Sequence, residues 1–308
     1  MLRDGGVRSG EGRRLLRRLG GRGSVRLGAG ILAVFLVVAA IGPVVAPADP
    51  VAQDLSRRLE PPGREHLLGT DEFGRDVLSR LIHGTRISLL VGLVSVGIGV
   101  ALGGTLGLVT GYFGGWVDNL GMRIMDIALA FPSILLAIIV VAVLGPGLFH
   151  AMIAVGIVGV PQYARLVRSQ VLTVRAQPFV EADRALGSSE GHIVFRTVLP
   201  HCTAPLVVQA SLGLATAILD AAGLSFLGLG AQPPLPEWGA MLGHGREYII
   251  HAPWILAAPG AAILLTVLGF NLLGDGLRDA LDPRMAFAIR SPARRIARTV
   301  PTFSGSQE

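Results

Sequence analysis

No lysine occurs anywhere in this chain of 308 residues; all 27 Lys+Arg positions are arginine. Within this polypeptide that excludes the nucleotide-binding P-loop, whose lysine must reach the β- and γ-phosphates. It also excludes Schiff-base chemistry, which needs a lysine amine. If ATP drives this protein, another polypeptide binds it. Cysteine is almost as scarce: Cys202 stands alone, which rules out an intrachain disulfide and any cysteine-pair metal or redox motif. Charge is thin as well, at 16% of residues against roughly a quarter in an ordinary soluble domain. Hydrophobic residues make up 51%, too many for a disordered chain. They fall in long charge-free windows that one soluble domain could not hide from water. The chain reads as an all-α polytopic membrane protein.

A membrane-spanning helix needs about 20 mostly apolar residues. The windows Leu27 to Ala48, Ile87 to Val117, Ile127 to Ala164, Thr197 to Leu219 and Ile249 to Gly274 supply them. The third is about twice one crossing and holds Gly145-Pro146-Gly147 near its middle, a strong turn signal. It is expected to be two helices joined by a hairpin, which makes six spans. The first span resembles a signal peptide only in its Ala46-Pro47-Ala48 end. Its apolar stretch and charged lead are too long, so it is expected to be retained.

Arginines cluster at Arg3 to Arg26, at Arg165 to Arg196 in the loop after the fourth span, and at Arg278 to Arg298 in the tail. With six spans all three clusters lie on one side, and the positive-inside rule makes that side cytoplasmic. The segment from Asp49 to Arg86 also has six arginines, but seven acids accompany them. A pI near 10.8 therefore reads as topology-setting arginine beside anionic lipid, not as nucleic-acid binding.

Several features sit in or beside the spans. Gly99, Gly103, Gly107, Gly111 and Gly115 recur every four residues, a bare stripe for close helix packing. From Asp71 onward a short amphipathic helix is expected, with Phe73, Val77 and Leu81 on one face toward lipid and Asp76 pairing with Arg80. Asp126 and Asp220 lie at the margins of apolar windows. A carboxylate there is costly unless it faces protein or water, so both are candidates to line a path, with an Arg123 ion pair as the structural reading of Asp126. The same two aspartates leave an intramembrane aspartyl enzyme as a remote alternative. No Ser-His-Asp elbow is present, the histidines lack metal-ligand spacing, and no catalytic residue, metal or cofactor is expected.

The loop between the fourth and fifth spans carries Gln177-Pro178-Phe179-Val180-Glu181-Ala182-Asp183-Arg184-Ala185-Leu186-Gly187. Pro178 suits a first helical turn and Glu181 its positive end. Phe179, Ala182 and Leu186 share a face, Gly187 can take the left-handed cap, and Leu199-Pro200 marks the start of the fifth span. A helix–glycine–helix elbow results. A helix this short is marginal alone and needs a partner to pack against.

Glu181-Ala182-Asp183, three residues, Gly187, then Leu199-Pro200 resembles the "EAA" loop of ABC importer permeases. Asp183 stands for the second alanine and Thr197 for an isoleucine. His66-Leu67-Leu68-Gly69-Thr70-Asp71 with Gly74-Arg75-Asp76, and Gly84-Thr85-Arg86-Ile87-Ser88-Leu89, resemble the dipeptide/oligopeptide/nickel group of these permeases. So do Leu224-Ser225-Phe226-Leu227-Gly228-Leu229-Gly230, Pro236-Glu237-Trp238-Gly239, and Asn271 to Asp279. The joint order resembles the C-type member of that group's permease pair, most of all its dipeptide members. The resemblance implies a type I ABC importer permease of a bacterial inner membrane, with both termini cytoplasmic. Its partners would be a B-type permease, two ABC ATPases, an extracytoplasmic solute-binding protein and lipid. Residues 1–26 would be an Arg-rich segment, 27–48 an accessory helix, 49–83 extracytoplasmic, 84–275 the five-span permease domain and 276–308 a cytoplasmic tail. The coupling loop, about 175–200, would contact an ATPase through Glu181, Ala182, Asp183, Gly187, Leu199 and Pro200. Peptide is the implied cargo, nickel or another small solute the alternative, and export is disfavoured by the loop pattern.

Overall fold

The computed structural model describes residues 23–281. The arginines at 3–22 and 284–298, and with them most of the two terminal segments expected above, lie outside the described residues. Every regular element among the described residues is helical. Helix α1 is Gly23–Val45, α2 Val77–Phe113, α3 Gly115–Ala130, α4 Ser133–Leu144, α5 Leu148–Arg175 and α6 Pro178–Ala185. A continuous helix α7, Glu190–Phe226, follows; then come α8, Trp238–Gly245, and α9, Trp254–Leu281. Among the described residues α1, α2, α5, α7 and α9 are each long and apolar enough to cross a membrane, and α3 with α4 makes a sixth crossing if the bent pair is one span.

Two helices overshoot a bilayer. At 37 residues each, α2 and α7 reach about 55 Å at ~1.5 Å per residue, against a hydrocarbon core of ~30 Å. Their overhang at one end carries the elbow around α6. The overhang of α2 at the far end corrects the expectation of a separate amphipathic helix from Asp71. The helix starts only at Val77, capped by Asp76, whose carboxylate accepts from the Ser79 amide at 2.7 Å. It runs unbroken through Gly84 into the second span, so the 83/84 boundary falls inside one helix.

Thr70, Asp71 and the residues from Gly74 to Asp76 form a buried knot, while Phe73 remains 41% exposed. Arg75 Nε donates to Asp71 at 2.6 Å, and Arg80 Nε lies 3.4 Å from Asp71, so Asp71 and not Asp76 is the partner of Arg80. Asp76 meets His66 at 2.9 Å. Thr70, Asp71, Arg75, Asp76 and Arg80 are all buried, and Val77 with them. The acids are needed to hold Arg75 and Arg80 inside, because a buried charge is tolerated only when paired. Phe73 packs under the Arg75 guanidinium, 4.6 Å from its carbon.

The glycine stripe does close the α2–α5 interface, one residue short. Gly99, Gly103, Gly107 and Gly111 face Tyr163, Val160, Ala164 and Val171 of α5, while Gly115 lies beyond the end of α2. The hairpin at Gly145 to Gly147 forms with positive φ at both glycines. The third span differs from the single rod expected. It bends by 100° between α3 and α4, at Phe131-Pro132. Proline drives the residue before it out of the helical region and brings no amide hydrogen; Phe131 accordingly sits at φ −88°, ψ 141°.

At the far end the loop after α7 folds back over α2. Glu237 accepts from the Gly239 and Ala240 amides, both at 2.9 Å, and so caps α8, while Ser88 of α2 donates to it at 3.2 Å. Trp238, fully buried, donates its ring N–H to the Leu81 carbonyl at 3.1 Å. Helix α1 lies on the outside. Gly28 lets it approach Leu272 of α9, and much of its other side, including Val34, Leu36, Val37 and Val44, is exposed.

Candidate functional site: an elbow and a cavity

The elbow is built from the residues upward. Pro178 opens α6, Glu181 lies in its first turn and Arg184 in its last. Gly187 takes φ +81°, a conformation that costs a side-chain-bearing residue about 1 kcal/mol or more. Its amide bonds the Arg184 carbonyl and the Ser188 amide bonds the Asp183 carbonyl, at 3.0 and 3.1 Å. Ser189 then caps α7 by accepting from the His192 amide at 3.3 Å.

Two brackets fasten this elbow to the long helices. Val180 is fully buried among Val171, Val174, Ile193 and Val198. Thr197 donates to Asp183 at 2.6 Å, so the two departures from the loop pattern touch each other. On the other side the Tyr112 hydroxyl bonds Glu190. Arg184 bonds that hydroxyl at 3.4 Å and lies 3.5 Å from Glu190, and Arg175 donates to the Tyr112 carbonyl at 2.6 Å. The hydrogen bonds to Tyr112 and then Glu190 hold the Arg184 pKa above its ordinary value, so its charge persists. Sequence reasoning missed Tyr112 and Glu190. A tyrosine that ends the glycine-striped helix was the available signal.

The face expected to seek a partner is open. Ala182 is exposed and Leu186 is 84% exposed, while Phe179 is 41% exposed and stacks on His201 at 5.2 Å. Leu199 is half-buried and Pro200 exposed, and they do not start a helix. Helix α7 has already run from Glu190 and passes through a π-helical turn, Ile193–Val198. Pro200 has no amide hydrogen to give to the residue-196 carbonyl, and a helix can absorb that loss by a one-residue shift in its ladder.

The two candidate aspartates are not brought together. Asp126 of α3 is exposed and ion-paired with Arg165 of α5, not with Arg123. Beside it Asp118 receives Arg168 at 2.5 and 2.6 Å, so α3 is doubly tied to α5. Asp220, half-buried on α7, lines a cavity of about 110 Å³ together with Ser133, Gln162, Tyr163 and Thr216. The spacing of Gln209, Gly213, Thr216 and Asp220 puts them on one face of α7. That polar stripe in an apolar helix was the unread signal for the cavity.

Residues 103–287 match the family described as the inner membrane component of binding-protein-dependent transport systems. The chain belongs to this family. As a member it is a multi-pass inner-membrane permease subunit of an ABC importer, working with a second permease and with ATPase subunits that carry the hydrolysis on separate chains. Residues 12–62 match a further family, the N-terminal transmembrane domain of oligopeptide transport permease C. The permease is 52% identical to a dipeptide transport system permease of Alkalihalophilus pseudofirmus over 83% of this chain and 84% of that one. It is 49% identical to a probable D,D-dipeptide transport system permease of Escherichia coli over 82% and 85% of the two chains. A glutathione transport system permease of Pectobacterium atrosepticum is 50% identical over 75% and 77%. A solved inward-facing structure of the MetNI methionine ABC transporter shares the fold, with TM-score 0.55 and 22% identity over 66% of this chain and 97% of that one.

Proposed function

We propose that this permease carries short peptides inward across the membrane, and that the α6 elbow is its coupling element. The observation that carries the coupling role is the elbow's open apolar face, Ala182 and Leu186, on a helix bracketed from behind by Val180, Asp183–Thr197 and Tyr112–Glu190. A short helix fixed on one side and bare on the other suits a groove on an ATPase. Push applied there would pass into α2 through Tyr112 and into α7 through Glu190 and Thr197. Glu181, Ala182, Asp183 and Gly187 make the elbow, with Leu199 and Pro200 about two and a half turns into α7.

The peptide cargo is supported by relatives named for dipeptides, D,D-dipeptides and glutathione, all of them small and peptide-like. A solute-binding protein would deliver the peptide at the Trp238 end. The elbow and both termini would face the cytoplasm, where arginine is densest, with lipid around α1. Asp220 would line the path, while Asp126, paired with Arg165, would steady the elbow end. ATP and peptide shift the equilibrium between inward- and outward-open states only through their different affinities for the two.

The test is uptake beside ATP hydrolysis in the reconstituted transporter. Gly187→Val and Glu181→Lys are expected to leave the protein inserted and ATP hydrolysis running while labelled dipeptide uptake falls to background. Uptake at the native rate with both changes would remove the coupling role.

A further inference from the structure

Five polar side chains face the cavity and have no partner among the described residues. Ser95 spends its hydroxyl on the Met152 carbonyl at 3.1 Å. Ser133, Gln162, Tyr163, Thr216 and Asp220, by contrast, make no hydrogen bond or ion pair with any described residue. Polar groups between membrane helices are costly unless water or a passing solute satisfies them. Among them is one carboxylate, and no arginine or histidine among the lining residues balances it.

On the peptide reading above, which it deepens, we infer that Asp220 docks the free α-ammonium group of a peptide in transit. An ammonium has three N–H donors and no acceptor. Asp220 offers the charge, and the Thr216 hydroxyl and Gln162 carbonyl are neutral acceptors lining the same cavity. The Tyr163 and Ser133 hydroxyls remain as donors for the peptide carbonyl. The peptide's own carboxylate is repelled from Asp220, so the amino end points toward α7. A divalent transition metal finds a poor site here, with one carboxylate and no histidine or cysteine in the lining, whereas such ions favour several nitrogen or sulfur ligands. A single charge contact also suits a transporter, which must release what it holds.

The experiment uses the complete transporter, both permeases, ATPases and binding protein, in proteoliposomes. Labelled dialanine and N-acetyl-dialanine are each supplied at concentrations that saturate the binding protein. For each peptide the readout is the ratio of native to Asp220→Asn uptake, in which the binding protein's own preference cancels. The ratio is expected to be about tenfold or more for dialanine, the scale of a lost hydrogen bond to a charged group, and near one for the acetylated peptide. Asp220→Glu should return most of the lost dialanine uptake. Asp220→Ser, run alongside, gives the same comparison should the asparagine variant not assemble. Equal ratios for the two peptides, whether both near one or both large, would overturn the ammonium role while leaving peptide transport standing. Uptake of neither peptide by the native complex would overturn the peptide reading and this inference together.

Discussion

Thr197 and Asp183 are 14 residues apart in the chain and 2.6 Å apart in the fold. Both are half-buried, so neither group is fully served by water. Thr197→Ile leaves the carboxylate without its donor, whereas Asp183→Ala with Thr197→Ile removes both polar partners at once. The double variant is therefore expected to be more stable than the sum of the single losses, by about 1 kcal/mol, in thermal unfolding of the detergent-solubilised complex. Strict additivity would show that the contact contributes nothing. Each departure from the loop pattern was visible in the sequence, but their meeting was not, because a linear motif fixes spacing and says nothing of approach. The same holds for Asp126: Arg123, one turn away, was the obvious partner, and Arg165, 39 residues on, won because α3 lies across α5. Asp220 was legible as costly, since an acid in an apolar window always is. Its companions Gln162 and Tyr163 come from another helix and could not be read as neighbours.

Among elements, the glycine stripe was the most legible feature, because a four-residue period maps directly onto one helical face. Its energetic weight is uneven, however. A Cβ on Gly103 would collide with the Val160 backbone carbonyl, which cannot rotate away, whereas a Cβ on Gly97 of the same helix meets nothing within 4 Å. Gly103→Ala is expected to lower stability by roughly 1–3 kcal/mol, and Gly97→Ala to be neutral or slightly stabilising, since alanine exceeds glycine in helix propensity by about 1 kcal/mol. Melting of the two variants in detergent decides this, and equal behaviour would mean that α2 and α5 do not pack through the stripe. The segment before Val77 was misread for a physical reason. Alternating acids and apolar residues make an amphipathic pattern, but the acids there face inward to arginines, and periodicity cannot tell a buried ion pair from a wet face. Pro132 was the overlooked breaker; the apolar run on both sides of it hid the bend.

For the whole molecule, the number of crossings and the elbow between them followed from apolar length and arginine placement, which depend on the bilayer and not on packing. Sidedness can be measured directly, because Cys202 is the single cysteine and is buried. Arg64→Cys and Leu186→Cys both introduce exposed thiols, on opposite ends of α2. In spheroplasts that express the permease without its ATPases, a membrane-impermeant maleimide is expected to label position 64 at once and position 186 only after permeabilisation. The reverse pattern would invert the molecule and put the elbow outside.

The corner at Phe131 and Pro132 is itself part of the cavity wall. Ala128 and Leu129 from one arm and Ser133 and Leu136 from the other contribute to the lining, with Phe131 at the vertex. One arm is anchored to α5 through Asp118–Arg168 and Asp126–Arg165, outside the cavity. The angle at that corner therefore sets the width of the chamber where Asp220 sits. The bend is thus a frame, and its angle fixes the aperture.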